Sequence, residues 1–167
     1  MSELFWIPKQ TYLQMCALGE QSFPLETGGI LLGYEADNGE AVVTAIIGPG
    51  QNAKHRRYRF SPDAEYQQAE LTAHHLRTNG RETYLGDWHT HPRGSTALSL
   101  LDKKTLTRIA CTASSGTVKP VMAILGGGSE SWEVGVVRFL GWKRRFPFNR
   151  YDLASLSPQF YESSSNH

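Results

Sequence analysis

Apolar and polar positions along the chain change period several times, and each change marks an element. From Pro8 to about Glu20, Tyr12, Met15, Cys16 and Ala17 recur at helical spacing, with Gly19 near a natural end. "GGILLGYEA" (Gly28–Ala36) and "EAVVTAIIG" (Glu40–Gly48) are apolar runs of strand length, and "DNG" between them is a hairpin turn. "GPGQN" is a loop, and "YRF" is a short strand. "SPDAEYQQAELTAHHLRTNG" opens with Ser61 as an N-cap, Pro62 at the first helical position and Glu65 beyond it. It closes on Asn79-Gly80, so it predicts a helix. "ETYLGDWHTH" predicts a strand ending at histidines, followed by a polar loop with Pro92, Gly94 and Ser95. A helix follows from Ser99 to about Ser114, then the strands "KPVMAILGG" and "SWEVGVVRFLGW".

This order predicts an α/β (α+β) domain with helices packed on a mixed sheet. Residues 1–150 form one domain in this reading, and 151–167 form a C-terminal tail whose last residues are expected to be disordered. A chain of 167 residues suits one domain with a sizeable core. The formal net charge is +1, which gives no global argument for nucleic acid or an anionic membrane. The two cysteines, Cys16 and Cys111, form no paired motif and fit a reducing compartment. "MSELFWIPKQTYL" lacks the basic segment, apolar run and cleavage site of a signal peptide, and no stretch approaches a membrane span. The expected location is the cytoplasm.

Candidate chemistry centres on "GDWHTHPRGSTALSLLD". Side chains two apart on a strand share a face, so His89 and His91 project together, as a zinc site requires. A lone H-x-H is weak by itself. His74 and His75 fall on the surface of the predicted helix, His55 lies in a basic loop and His167 is terminal. Ser99 followed by Asp102 reads first as a capping box. A carboxylate on that first turn also reaches back across the loop, which would supply a third ligand and leave a fourth position for water. Upstream, Glu26 precedes Thr27-Gly28-Gly29, a glycine pair that predicts close backbone approach or an unusual local conformation. A carboxylate outside the metal's ligand set can take and deliver the protons that hydrolysis needs.

Glu26, then His89-x-His91, seven intervening residues, Ser99, two more and Asp102 resembles the JAMM signature of the MPN+ metalloproteases, without departure at a motif position. "ETGGILLG" and "GDWHTHP" are similar to bacterial members. The resemblance spans about Glu26 to Asp102. It implies a JAMM/MPN-like (cytidine-deaminase-like) curved mixed sheet flanked by helices, and a zinc-dependent isopeptidase or peptidase. His89, His91 and Asp102 would bind one zinc ion. Glu26 would polarise the water and protonate the leaving amine, and Ser99 would stabilise the oxyanion. "RRYRFSPDAEYQ" and the chain length resemble stand-alone bacterial deconjugases, including those of CBASS antiphage systems. Such a protease removes a ubiquitin-like modifier or a conjugated protein from a target lysine, with the tail in the active-site groove as an added strand. E1/E2-like enzymes and a CD-NTase-like target are the implied partners.

Other readings stay open. A JAMM peptidase can release cysteine or a short tail from a sulfur-carrier protein, and many MPN relatives are non-catalytic scaffolds. Amidohydrolases need a larger barrel, metallo-β-lactamases a longer histidine run, and zinc deaminases paired cysteines. The basic segments "KHRRYRF" (Lys54–Phe60) and "WKRRFPFNR" (Trp142–Arg150) read as a solvated loop and a packed tail, or else as a surface for a protein partner rather than nucleic acid.

Overall fold

The computed structural model describes residues 3–112 and 119–163. In chain order these form β1 (Leu4–Pro8), α1 (Lys9–Ser22), β2 (Gly28–Glu35), β3 (Ala41–Ile47), β4 (Lys54–Arg56), β5 (Arg59–Ser61), α2 (Ala64–Arg77), β6 (Thr83–Pro92), α3 (Leu100–Cys111), β7 (Val121–Gly128), β8 (Ser131–Arg145) and β9 (Phe148–Tyr161). Seven strands pair in the order β1-β3-β2-β6-β7-β8-β9, and β9 returns to β1, so the sheet closes. The sheet is mixed, as expected: β6–β7, β1–β3 and β1–β9 are parallel pairs and the rest are antiparallel. The expectation was a curved mixed sheet flanked by helices; the mixed α+β architecture is present, and the sheet closes on itself. The two strands that close it are those the hydrophobic pattern concealed. β1 is five residues ending in Pro8. Among its described side chains β9 has one buried apolar residue, Leu156, and it carries Pro158, so it shows no clean period of two. Residues 151–161, expected as a tail, are therefore strand, paired with β8 on one side and β1 on the other. Residues 164–167 of that tail, and the predicted end of α3 at residues 113–114, lie outside the described residues.

The continuous apolar runs of β2 and β7 arise because both strands are buried on both faces. Leu31 of β2 and Val121, Ala123 and Leu125 of β7 share one core cluster with Met15 of α1. On the opposite face, Ile30 and Leu32 meet Leu71 of α2, while Met122 and Ile124 meet Leu106 of α3. Strand β6 lies between them. Trp88 joins the α1 cluster, which turns Asp87, His89 and His91 to the face that carries α3.

The helix starts differ in one respect from expectation. Helix α2 is capped by Asp63, which accepts from Tyr66 N at 3.2 Å. Ser61 is engaged instead in the hairpin, opposite Lys54. Asp63 also accepts from the Asn52 main chain and side chain, which ties the "GPGQN" loop to the helix. Among the described residues no helix is long and apolar enough to cross a membrane.

Candidate metal centre

Three donors converge where β6 ends and α3 begins. His89 Nε2 lies 3.0 Å from His91 Nε2 and 3.0 Å from Asp102 Oδ1, and His91 Nε2 lies 3.3 Å from Asp102 Oδ2. A tetrahedral ion with bonds of ~2.0–2.1 Å has ligand atoms about 3.3 Å apart, so the spacing fits such an ion. The ring orientation fits too. His91 Nδ1 is 3.0 Å from Ser95 O, a carbonyl that only accepts, so this ring carries a proton at Nδ1 and leaves Nε2 as the atom a metal would take. Two imidazole nitrogens and a carboxylate this close are mutually satisfied by a cation, and among the described residues these three are the group able to hold a metal ion.

Helix α3 aims the carboxylate. Ser99 Oγ accepts from Asp102 N at 3.2 Å, and Asp102 Oδ2 accepts from Ser99 N at 2.6 Å, which is the expected capping box. Leu106, one turn later on the same face and fully buried, fixes the helix against Met122, Ile124 and Phe139. Burying such a side chain is worth on the order of 2 kcal/mol. Burial pushes the Asp102 carboxyl up, but hydrogen bonds from His89 and His91 outweigh it and hold the group well below the usual carboxylate range. The same hydrogen bond to Asp102 raises His91, against the opposing effect of burial.

Glu26 reaches the site through strand register. Gly28 pairs with His89, and the pairing continues outward: Thr27 N donates to Thr90 Oγ1 at 3.0 Å and Thr90 N to Thr27 O at 2.8 Å. This carries Glu26 alongside His91, where it lines the same cavity as Asp102 but stands outside the three-donor cluster. Burial pushes its carboxyl up, partly countered by His89 and His91. The glycine pair makes this approach possible, so of its two expected uses close backbone approach is the one present. A Cβ on Gly28 would lie 2.4 Å from Trp88 O and 2.9 Å from His89 Cβ, and one on Gly29 would lie 1.9 Å from Ile47 O. We therefore expect Gly28→Ala to cost at least about 1–3 kcal/mol of stability and to displace His89. Thermal melts and metal titration of the folded fraction check this; unchanged melting and metal affinity would contradict the contact.

Two features of the site lie outside the sequence motif. His55, expected in a loop, is on β4, where its Nδ1 is 3.0 Å from Glu26 O, while Glu26 N donates to Arg56 O at 2.9 Å. The β4–β5 hairpin thus holds the glutamate by both main-chain groups. Asp87 lines the cavity beside His89 and accepts from Tyr84 OH at 2.9 Å, with its carboxyl raised by burial. The alternation Asp87-His89-His91 was the available signal for it. His74, placed at a helix surface by sequence, instead packs against Glu82 with Nε2 2.6 Å from Oε2, away from the centre.

Two clefts meet at Glu26 and Asp102. The smaller, about 290 Å³, runs past His89 and Asp87 to Arg59 and Arg108. The larger, about 600 Å³, runs past His91 and Ser99 to Arg57 and Arg93.

His89, His91 and Asp102, the donors of the motif, thus stand together, with Glu26 and Ser99 beside them. Residues 8–135 match the family described as prokaryotic homologs of the JAB domain, and the chain belongs to that family. It is 40% identical over 134 residues to a probable metalloprotease, y4qB, of Sinorhizobium fredii, covering 79% of this chain and 81% of that one. It is 34% identical over 103 residues to a CD-NTase/cGAS isopeptidase of Enterobacter hormaechei, covering 61% and 56% of the two chains. A similarly named Escherichia coli protein is 30% identical over 108 residues, covering 64% and 65%. The solution structure of protein DSY2949 from Desulfitobacterium hafniense shares the fold, with a TM-score of 0.65 at 18% identity over 98% of this chain and 97% of that one.

Proposed function

We propose that this protein is a zinc-dependent isopeptidase or peptidase that hydrolyses the bond between a conjugated protein's C-terminus, or a ubiquitin-like modifier, and a target lysine or adjoining peptide. The observation that carries this reading is the convergence of His89, His91 and Asp102, with Glu26 in the same cavity but outside the donor set. His89 and His91 would present neutral Nε2 atoms to zinc, and Asp102 a carboxylate oxygen. Bound zinc would supply a water of lowered pKa and a Lewis acid for the scissile carbonyl.

The chain's own groups do the rest. Glu26 takes a proton from the attacking water as the oxygen–carbon bond forms. It returns that proton to the nitrogen as the carbon–nitrogen bond breaks, so the lysine leaves as an amine. Ser99 Oγ spends a lone pair on the helix cap and keeps its O–H to donate to the developing oxyanion. The strands that carry the centre, β2, β6 and β7, are each paired on both sides, so an incoming tail is not placed on them. The β4–β5 hairpin beside Glu26 is the two-stranded sheet to which an extended tail would add. The relatives named CD-NTase/cGAS isopeptidase support a conjugated-protein substrate. E1/E2-like partner enzymes, a CD-NTase-like target, a CBASS setting and the cytoplasm belong to the proposal itself.

The test is to incubate zinc-loaded protein with a lysine-linked ubiquitin-like conjugate and with a sulfur-carrier protein bearing a C-terminal cysteine adduct. Cleavage of the lysine-linked bond is expected. Cleavage of the carrier adduct alone moves the substrate to sulfur transfer, and cleavage of neither, in a protein that binds zinc, returns the chain to the scaffold reading.

A further inference from the structure

We propose that the larger cleft is an arginine clamp for a carboxylate side chain of the substrate, so that the segment lying there carries Asp or Glu near the scissile bond. This rests on the hydrolase reading above and names a substrate feature for the same site.

Arg57 and Arg93 line the cleft that leaves the metal centre past His91 and Ser99. Apart from Glu26 and Asp102, which belong to the centre, no acidic residue lines it. Neither arginine has an ion-pair partner within 4.0 Å among the described residues. A structural arginine in this fold is treated otherwise. Arg138 is buried and reaches Glu3, Glu35 and the carbonyl of Gly39.

Both cleft arginines are exposed and stack on an aromatic ring. The Arg57 guanidinium lies over the Tyr58 ring, 5.5 Å from its centroid, and that of Arg93 lies over Phe23 at 5.3 Å. Stacking on an aromatic face restrains the side chain and leaves the N–H fork open to a planar acceptor. The backbone adds a second, independent sign. Arg93 sits at φ 60°, a left-handed conformation that side-chain-bearing residues seldom adopt, and its N–H is anchored to Gly127 O at 2.7 Å. Strain of this kind persists where the surroundings over-determine it, and it clusters at ligand clamps. Here it directs an arginine into the cleft two residues after His91. The occupant of a cleft opening from a peptide-cleaving centre is polypeptide, and the polypeptide group that matches a guanidinium fork is a carboxylate.

The experiment uses quenched peptides joined through a lysine ε-amide, with Glu, Gln or Lys placed in turn at each position flanking the scissile bond. At one or two positions on one side, Glu should exceed Gln by about tenfold in kcat/KM, expressed mainly in KM, as one charge-assisted hydrogen-bond pair allows. The preference should shrink at high salt. Arg57→Gln and Arg93→Gln should each bring the Glu-to-Gln ratio toward one, with Arg93→Lys intermediate because it keeps the charge and loses the fork. Fluorescence anisotropy of the same peptides on the zinc-loaded Glu26→Gln protein reads the clamp without turnover. Peptides cleaved with no Glu preference, or with a preference that survives both Gln variants, overturn the clamp and leave the hydrolase reading standing. Glu-selective binding lost in the arginine variants, with no cleavage by the wild type, supports the clamp and overturns the hydrolase reading. Neither binding nor cleavage overturns both.

Discussion

Replacing Glu26 with alanine is expected to abolish cleavage while zinc content and folding survive. General acid–base help is typically worth ~10²–10⁴ in rate, and this one carboxylate is assigned both proton transfers, so a loss of at least about that size follows. The fold should tolerate the change because what fixes the segment is main chain. Glu26 N donates to Arg56 O, His55 Nδ1 lies against Glu26 O, and the next residue is stitched to Thr90. The side chain contributes a carboxyl whose pKa is raised by burial, so its removal relieves a desolvated charge. Steady-state rates, metal analysis and a thermal melt on the same preparation decide the matter. Full activity in a folded, zinc-loaded Glu26→Ala protein would sink the mechanism.

His89→Ala or Asp102→Ala should each lower zinc occupancy, since three protein donors become two. Zinc affinity is a sum over ligands that are deprotonated in the complex, and donors already aimed at one point add most to it. The Nδ1 contact of His91 with Ser95 O orients its ring, and α3 presents Asp102 between the two imidazoles. Asp102→Ala carries a second effect. Its carboxylate accepts from Ser99 N, so the variant also loses half of the capping box, a change usually costing about 1 kcal/mol. Ser99→Ala separates the two contributions, because it removes the other half of the cap and none of the donors. A chelator should inactivate the wild type and added zinc restore it. Unchanged metal stoichiometry in the His89 or Asp102 variants would count against the assignment.

How much of this was legible beforehand depends on how local each feature is. Helices α1 and α2, strands β2, β3, β6, β7 and β8 and the α3 capping box follow from periods and caps within a dozen residues. So does the shared face of His89 and His91, because alternation on a strand needs only the strand. The cap of α2 was misplaced by two residues, since Ser61 and Asp63 are both good acceptors and only the hairpin's claim on Ser61 decides between them.

The sequence by itself determined the type of α1, α2, α3, β2, β3, β6, β7 and β8, and it placed Glu26, His89, His91, Ser99 and Asp102 in one motif. Tertiary structure alone decided that β1 and β9 close the sheet and that β4 grips Glu26. It also decided that Arg57 and Arg93 flank one cleft without acidic partners. The reason is physical. A period records which face of its own element a residue buries, whereas barrel closure and the meeting of Glu26 with His91 are pairings across long stretches of chain. Such pairings leave no periodic trace in either partner.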